Sequence, residues 1–185
     1  MKKINALILV LLISLSSFAQ VDHMRFMGIP LDGTINNFQT KLSAKGIRID
    51  SKSSRETENG VRVFKGIFSG YQASIYVYYD ESSKIVYRAK AVIRDNSLSI
   101  SNNTYSDFTT SLSKKYDFAE TQTGSQDGYD SISFLISGTP FNTEYVYIGR
   151  IDVYRSDYLL NYMTHIDYND TANTVAHQNK KMEDL

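Results

Sequence analysis

His165-Ile166-Asp167 is the combination of residue types best suited to chemistry in this chain of 185 residues. A histidine and a carboxylate two positions apart on a strand share one face. There the imidazole can take or give a proton near neutral pH. With other acids nearby, such a pair would serve a hydrolase as its general acid–base. The same pair also reads as a polar cross-strand contact on a wet sheet face. The other two histidines, His23 and His177, fall near the chain ends and are expected to be solvated.

Sharper catalytic patterns do not occur. There is no His-Glu-x-x-His for a zinc hydrolase and no Gly-x-Ser-x-Gly elbow for a nucleophilic serine. Gly66-Ile-Phe-Ser-Gly70 lacks the Lys and the following helix of a phosphate loop. Asp127-Gly128-Tyr129-Asp130 lacks the alternating oxygen ligands and closing Glu of a calcium loop, and reads as a turn. Glu56 and Glu58 read as solvated charges in a Ser/Arg-rich hairpin loop. With no Cys, the chain has no disulfide, thiol chemistry or Cys-ligated metal. No catalytic set, metal or cofactor is expected. Asp130-Ser131-Ile132 and Asp170-Thr171-Ala172 resemble the Asp-Ser/Thr-apolar signal for O-glycosylation in some Gram-negative exported proteins, which makes Ser131 and Thr171 candidate modification sites.

Tyrosine carries the binding candidates. The chain has 14 Tyr, 9 Phe and no Trp, so most of its large rings carry a polar hydroxyl. If Ile75, Val77 and Tyr79 face the core, then Tyr76 and Tyr78 face outward, and Tyr147 and Tyr154 are their candidates further along the chain. A row of rigid rings makes a contact surface at low entropic cost. Tyr also simply suits a half-buried strand.

The elements that would position these residues show a repeat. Thr34 to Lys45 can be laid on Thr104 to Lys115 at an offset of 70, with half of the positions identical. Both segments carry an apolar stripe at helical spacing: Ile35, Phe38, Leu42 and Tyr105, Phe108, Leu112. Each such residue contributes roughly 1.5–3 kcal/mol when fully buried. Thr34 and Thr104 are the expected N-caps, with Thr104 and Asp107 as a capping box, and Gly46 is expected to end the first helix. Strands are expected over 47–50, 61–68, 71–79 and 84–94, then 131–137, 144–154 and 158–168. In 84–94, Tyr87, Ala89, Ala91 and Ile93 should share one face, and Arg88, Lys90 and Arg94 the other. Ile75-x-Val77-Tyr78 matches Ile151-x-Val153-Tyr154, and Tyr87 matches Tyr162, with the growing offset placed in loops.

The N-terminus reads as a secretory leader. Lys2 and Lys3 precede an apolar run from Ala6 to Leu12, and Ser17-Phe18-Ala19 suits a cut after Ala19. The run is too short to span a bilayer, so no transmembrane anchor is expected. The chain is then exported through the Sec pathway to the periplasm or beyond. Residues 1–19 hold two Lys and no acid, so the formally neutral chain would lose two positive charges on cleavage. This near balance gives no support to a nucleic-acid partner.

Tandem helix-plus-antiparallel-sheet units in a small exported protein resemble the beta-lactamase inhibitor protein fold, shared by outer-membrane assembly accessory proteins of the SmpA type. Phe26-Met-Gly-Ile-Pro-Leu-Asp-Gly before a Phe/Leu helix, and Tyr168-Asn169-Asp170 before a polar tail, are similar to uncharacterised secreted proteins of gut-type Gram-negative bacteria. The expectation is therefore an α+β domain over 20–168. It would hold two tandem repeats, about 26–95 and 102–168, with the helices on one face of the sheet. Residues 169–185 would follow as a polar tail, either a frayed helix or mobile. The expected function is a non-enzymatic binding or accessory module of the bacterial envelope, with a protein or envelope component as partner. The alternatives are an envelope hydrolase using His165 and Asp167, or an assembly protein that pairs through a sheet edge.

Overall fold

Thr34, Asp50 and Ser97 are short polar residues in extended backbone, and each opens a helix by accepting a backbone N–H with its side chain. In the computed structural model these helices are α1 (Ile35–Ala44), α2 (Ser51–Glu56) and α3 (Leu98–Lys115). The structure describes residues 22–116, 119–126, 128–138, 147–158 and 161–183. The leader expected over 1–19 lies outside these residues.

α1 follows its sequence reading closely. Ile35, Phe38 and Leu42 are its buried residues. Gly46 ends the helix with φ +79°, its N–H reaching Ser43 O at 3.0 Å while Ile47 N reaches Leu42 O at 3.1 Å. That is a Schellman closure, and Leu42 and Ile47 are both fully buried beside it. α2 falls where the sequence reads as a Ser/Arg-rich loop. It holds Ser, Lys, Arg and Glu with no apolar residue, so hydrophobic periodicity had nothing to mark. Asp50 holds it instead, accepting from Ser53 N at 3.1 Å and Ser53 Oγ at 2.7 Å.

α3 corrects the second helix reading. Its N-cap is Ser97, about two turns before Thr104. Thr104 is a buried interior residue whose hydroxyl donates to Asp95 at 3.0 Å. Asp107 accepts from the Tyr71 hydroxyl at 2.9 Å and closes no capping box. The buried stripe runs Ser101, Thr104, Phe108, Leu112, while Tyr105 lies half-buried with the Arg155 guanidinium 5.0 Å from its ring centre. Leu98 and Ile100 face solvent in the first turn, which hid the true start from an amphipathic reading.

The strands are β1 (Arg25–Phe26), β2 (Ile29–Pro30), β3 (Arg48–Ile49), β4 (Val61–Phe68), β5 (Tyr71–Tyr79), β6 (Val86–Asp95), β7 (Glu120–Gln126), β8 (Tyr129–Ser137), β9 (Tyr147–Tyr158) and β10 (Asn161–Asp170). The pair β1–β2 turns through Met27 and Gly28, both at positive φ, and seats Phe26 on Phe68 with ring centres 5.2 Å apart. The other eight form one antiparallel sheet in the order β3-β4-β5-β6-β10-β9-β8-β7. β4 and β5 have the bounds expected of them. β7 was not anticipated, because every residue of this polar edge strand is exposed and no alternation exists to read.

One core joins Phe38 and Leu42 of α1, Phe108 and Leu112 of α3, and the strand residues Ile75, Val77, Ala89, Ala91, Ile151, Val153 and Ile166. Among the described residues the fold is α+β, four helices with one large antiparallel sheet. Tyr87 departs from its expected face. A bulge pairs Tyr79 with Val86, so Val86 enters the core and Tyr87 stacks on His177 at 4.4 Å.

Past β10 the chain forms α4 (Thr171–Glu183), which buries no residue fully. Polar contacts dock it. Asp170 accepts from Asn173 N at 2.9 Å, Asn173 Nδ2 donates to Leu31 O at 2.6 Å, and His177 and Lys180 meet the Asp80 carboxylate at 3.0 and 3.2 Å. Among the described residues, no helix is long and apolar enough to cross a membrane.

Candidate functional site

Strand register builds the outward sheet face as cross-strand rows. One row is Ser74, Val92, His165, Tyr154, Ser131, and the next is Tyr76, Lys90, Asp167, Asp152, Ser133. The third is Tyr78, Arg88, Asn169, Arg150, Leu135. All belong to the face opposite Ile75, Val77, Ala89, Ala91 and Ile166, because side chains alternate along each strand.

Asp167 and Asp152 sit directly opposite each other, an arrangement that like charges disfavour. Each has its own cation. Arg88 lies side-on to Asp167, with Nε 2.9 Å from Oδ1. Arg150 Nε meets Asp152 Oδ2 at 2.8 Å, and Ser133 Oγ donates to Asp152 Oδ1 at 2.5 Å. The hydrogen bonds that Arg88 donates to Asp167 raise its pKa beyond the ordinary value, against the effect of burial. Lys90 goes the other way: burial pulls its ammonium below the usual lysine range, and Asp167 only partly compensates.

The rings interleave with these cations. Arg88 lies 4.5 Å from the Tyr78 ring centre, and Lys90 lies 5.6 Å from that of Tyr76. Burial raises the Tyr154 hydroxyl to about 12, with the Asp167 charge adding to it. Arg88, Asp167, Asp152, Arg150, Ser133 and Asn169 line a cavity of about 360 Å³ on this face, with Gln126, Ser131 and Tyr154 completing it.

The sequence-predicted residues separate into distinct places. Tyr76, Tyr78 and Tyr154 share the outward face. Tyr147 does not join them: it begins β9, hydrogen-bonds Glu120, and lines a second cavity with Val175 of α4. Ser131 is half-buried beside Tyr154, whereas Thr171 opens α4 next to the fully buried Asp170. His165 and Asp167 share a face and both are buried, yet they do not pair. His165 Nε2 meets Ser156 Oγ at 2.7 Å, and its ring stacks on Tyr154 at 4.5 Å. Burial, with the Lys90 charge adding, drops His165 to about 4, so it is a weak base.

The terminal histidines are not solvated, contrary to expectation. His23 Nδ1 lies 2.9 Å from Asp170, and His177 Nδ1 lies 3.0 Å from Asp80. Burial alone would raise the Asp80 carboxyl, but hydrogen bonds from Ser82, Ser83 and His177 hold it well below the usual range. Arg88, Asp152, Arg150 and Asn169 were missed as site residues. The alternation in β6 put Arg88 outward, but only the register of β10 and β9 brings its partners alongside. Searches against protein-family models, curated proteins and solved structures each find no match to this chain.

Proposed function

We propose that the chain is an exported, non-enzymatic binding or accessory module, and that the outward sheet face is its contact surface. One observation carries this reading: Tyr76 and Tyr78 pair across β5 and β6 with Lys90 and Arg88, beside an open polar cavity that Arg88 and the buried Tyr154 line. Tyr and Arg are the residue types that concentrate binding energy in contact surfaces. Export is inferred from the basic and apolar N-terminus, and the partner is a protein or envelope component. The doubled-unit reading belongs with this proposal. It is supported by two four-strand meanders that meet along β6 and β10, and by Phe38 and Phe108 sharing one core.

The hydrolase alternative has one observation in its favour, the 2.7 Å contact between Ser156 Oγ and His165 Nε2. Two observations weigh against it. Asp167 is committed to Arg88 rather than orienting the imidazole, and an imidazole that burial lowers to about 4 is a poor acceptor for the serine proton. Capture from envelope extract tests the contact surface. Tyr76→Ala with Tyr78→Ala should abolish capture of a partner that the wild type and a Lys41→Ala/Lys45→Ala control both retain. Unchanged capture by the tyrosine variant refutes the reading.

A further inference from the structure

We propose that the polar cavity on the outward face binds an uncharged polyhydroxyl ligand, a saccharide, through Arg88, Asp152, Ser133 and Asn169, with Tyr154 as its ring contact. The inference rests on the contact-surface reading and gives the chemical class that this face takes.

The lining selects against apolar ligands. Tyr154 is its one aromatic, and the other lining residues are Arg, Asp, Asn, Gln and Ser. An apolar ligand would strip water from these groups and return no hydrogen bonds. The lining also selects against ions. Its two guanidiniums and two carboxylates are closed on each other as Arg88–Asp167 and Arg150–Asp152. A charged ligand must break one of these pairs before it gains anything.

A sugar hydroxyl both donates and accepts, so it can bridge a guanidinium that only donates and a carboxylate that only accepts. Planar forks offer two like atoms side by side, which suits neighbouring hydroxyls on one ring. Ser133 and Asn169 both reach Asp152, at 2.5 and 3.5 Å, so the acceptor is already oriented. An extended peptide is also neutral and polar, but it gains affinity by adding to a strand edge. β6, β10, β9 and β8 are all interior strands, with neighbours on both sides. Recognition therefore falls to side chains. A volume of about 360 Å³ lies within the range of about 300–1,000 Å³ typical of small-molecule sites.

The test is an amide-shift titration of the isotopically labelled full chain. The probes are glucose, galactose, mannose, N-acetylglucosamine, N-acetylgalactosamine and their disaccharides, with tri-alanine and sulfate alongside. At least one sugar should shift the Ser133, Asp152 and Asn169 amides saturably. Asp152→Asn and Ser133→Ala should each weaken that sugar by about tenfold, a change of about 1.4 kcal/mol. No saturable shift at these amides from any sugar overturns the proposal. Response to sulfate or tri-alanine alone also overturns it, in favour of an anion or peptide site, and leaves the contact-surface reading standing. Wild-type sugar affinity retained by both variants overturns the placement. Sugar binding together with unchanged partner capture by the tyrosine variant supports this proposal while refuting the macromolecular contact surface.

Discussion

Arg88 lies side-on against the Asp167 carboxylate across the β6–β10 pair, with Nε 2.9 Å from Oδ1, and the Tyr78 ring sits 4.5 Å from the guanidinium. The carboxylate is almost fully buried, while about a third of the arginine side chain is exposed. Removing the acid strands a largely desolvated cation. Asp167→Ala should therefore lower the urea midpoint by the equivalent of about 3 kcal/mol. Arg88→Met with Asp167→Leu should recover much of that loss, since neither variant residue leaves a charge behind. A double-mutant cycle by chemical denaturation measures the coupling.

Asp170 ties the segment before β1 and the start of α4 to the sheet. Its carboxylate accepts from Met24 N at 2.9 Å and from Asn173 N at 2.9 Å, and it meets His23 as well. Asp170→Ala removes a helix cap, worth about 1 kcal/mol, and orphans the Met24 N–H, worth about 1–3 kcal/mol more. Faster amide exchange in α4 should accompany the loss. The hydrogen bond to the Asp170 carboxylate raises the His23 pKa, against burial. A raised value stabilises the fold below the histidine's unfolded pKa and fades as pH rises through the folded one. His23→Ala should thus cost more at about pH 6 than at about pH 8.

His165 acts in the opposite direction. Its folded value of about 4 lies below the ordinary 6.5, chiefly because of burial. Between those values the unfolded chain takes up a proton that the folded chain refuses. Stability from this residue is full above about pH 6.5, falls as pH drops, and reaches its floor near 4. His165→Phe keeps a ring against Tyr154 and removes the proton. Its urea midpoint should fall less than that of the wild type on going from about pH 7 to about pH 5.

Gly149 has no room for a side chain. A Cβ there would overlap Met24 Cγ and the Asn169 carbonyl oxygen. Gly149→Ala should destabilise the fold by about 3 kcal/mol or prevent folding, because backbone and a buried neighbour would both have to move. Gly46→Ala has open space but a φ of +79°, and should cost only about 1 kcal/mol. Thermal melts of the two variants distinguish crowding from backbone strain.

Local chemistry was readable at α1, β4 and β5, where a residue's role depends on its chain neighbours. Thr34 and Gly46 bound α1 because capping is a matter of adjacent backbone groups. β4 and β5 kept their expected bounds because apolar residues alternate there between turn residues. Elements held by polar contacts were not legible. α2 and β7 carry no apolar stripe, and α4 is docked by Asn173, His177 and Lys180 onto groups far away in sequence. His165 and Asp167 show the limit most clearly. Their spacing does put them on one face, but β10 lies in the middle of the sheet and is buried on both sides. Their partners, Ser156 and Arg88, arrive from neighbouring strands.

The sequence by itself determined a strand-rich, cysteine-free chain, the helix α1, and the outward-facing basic residues of β6. Composition, the capping of α1 and the alternation of Arg88, Lys90 and Arg94 are local properties, and a linear reading captures them. Only the tertiary structure decided that β6 and β10 lie side by side, which carboxylate neutralises which arginine, and that the two terminal histidines are bound. Those outcomes depend on strand order and register, and a shift of one residue would turn every side chain of a strand to the opposite face.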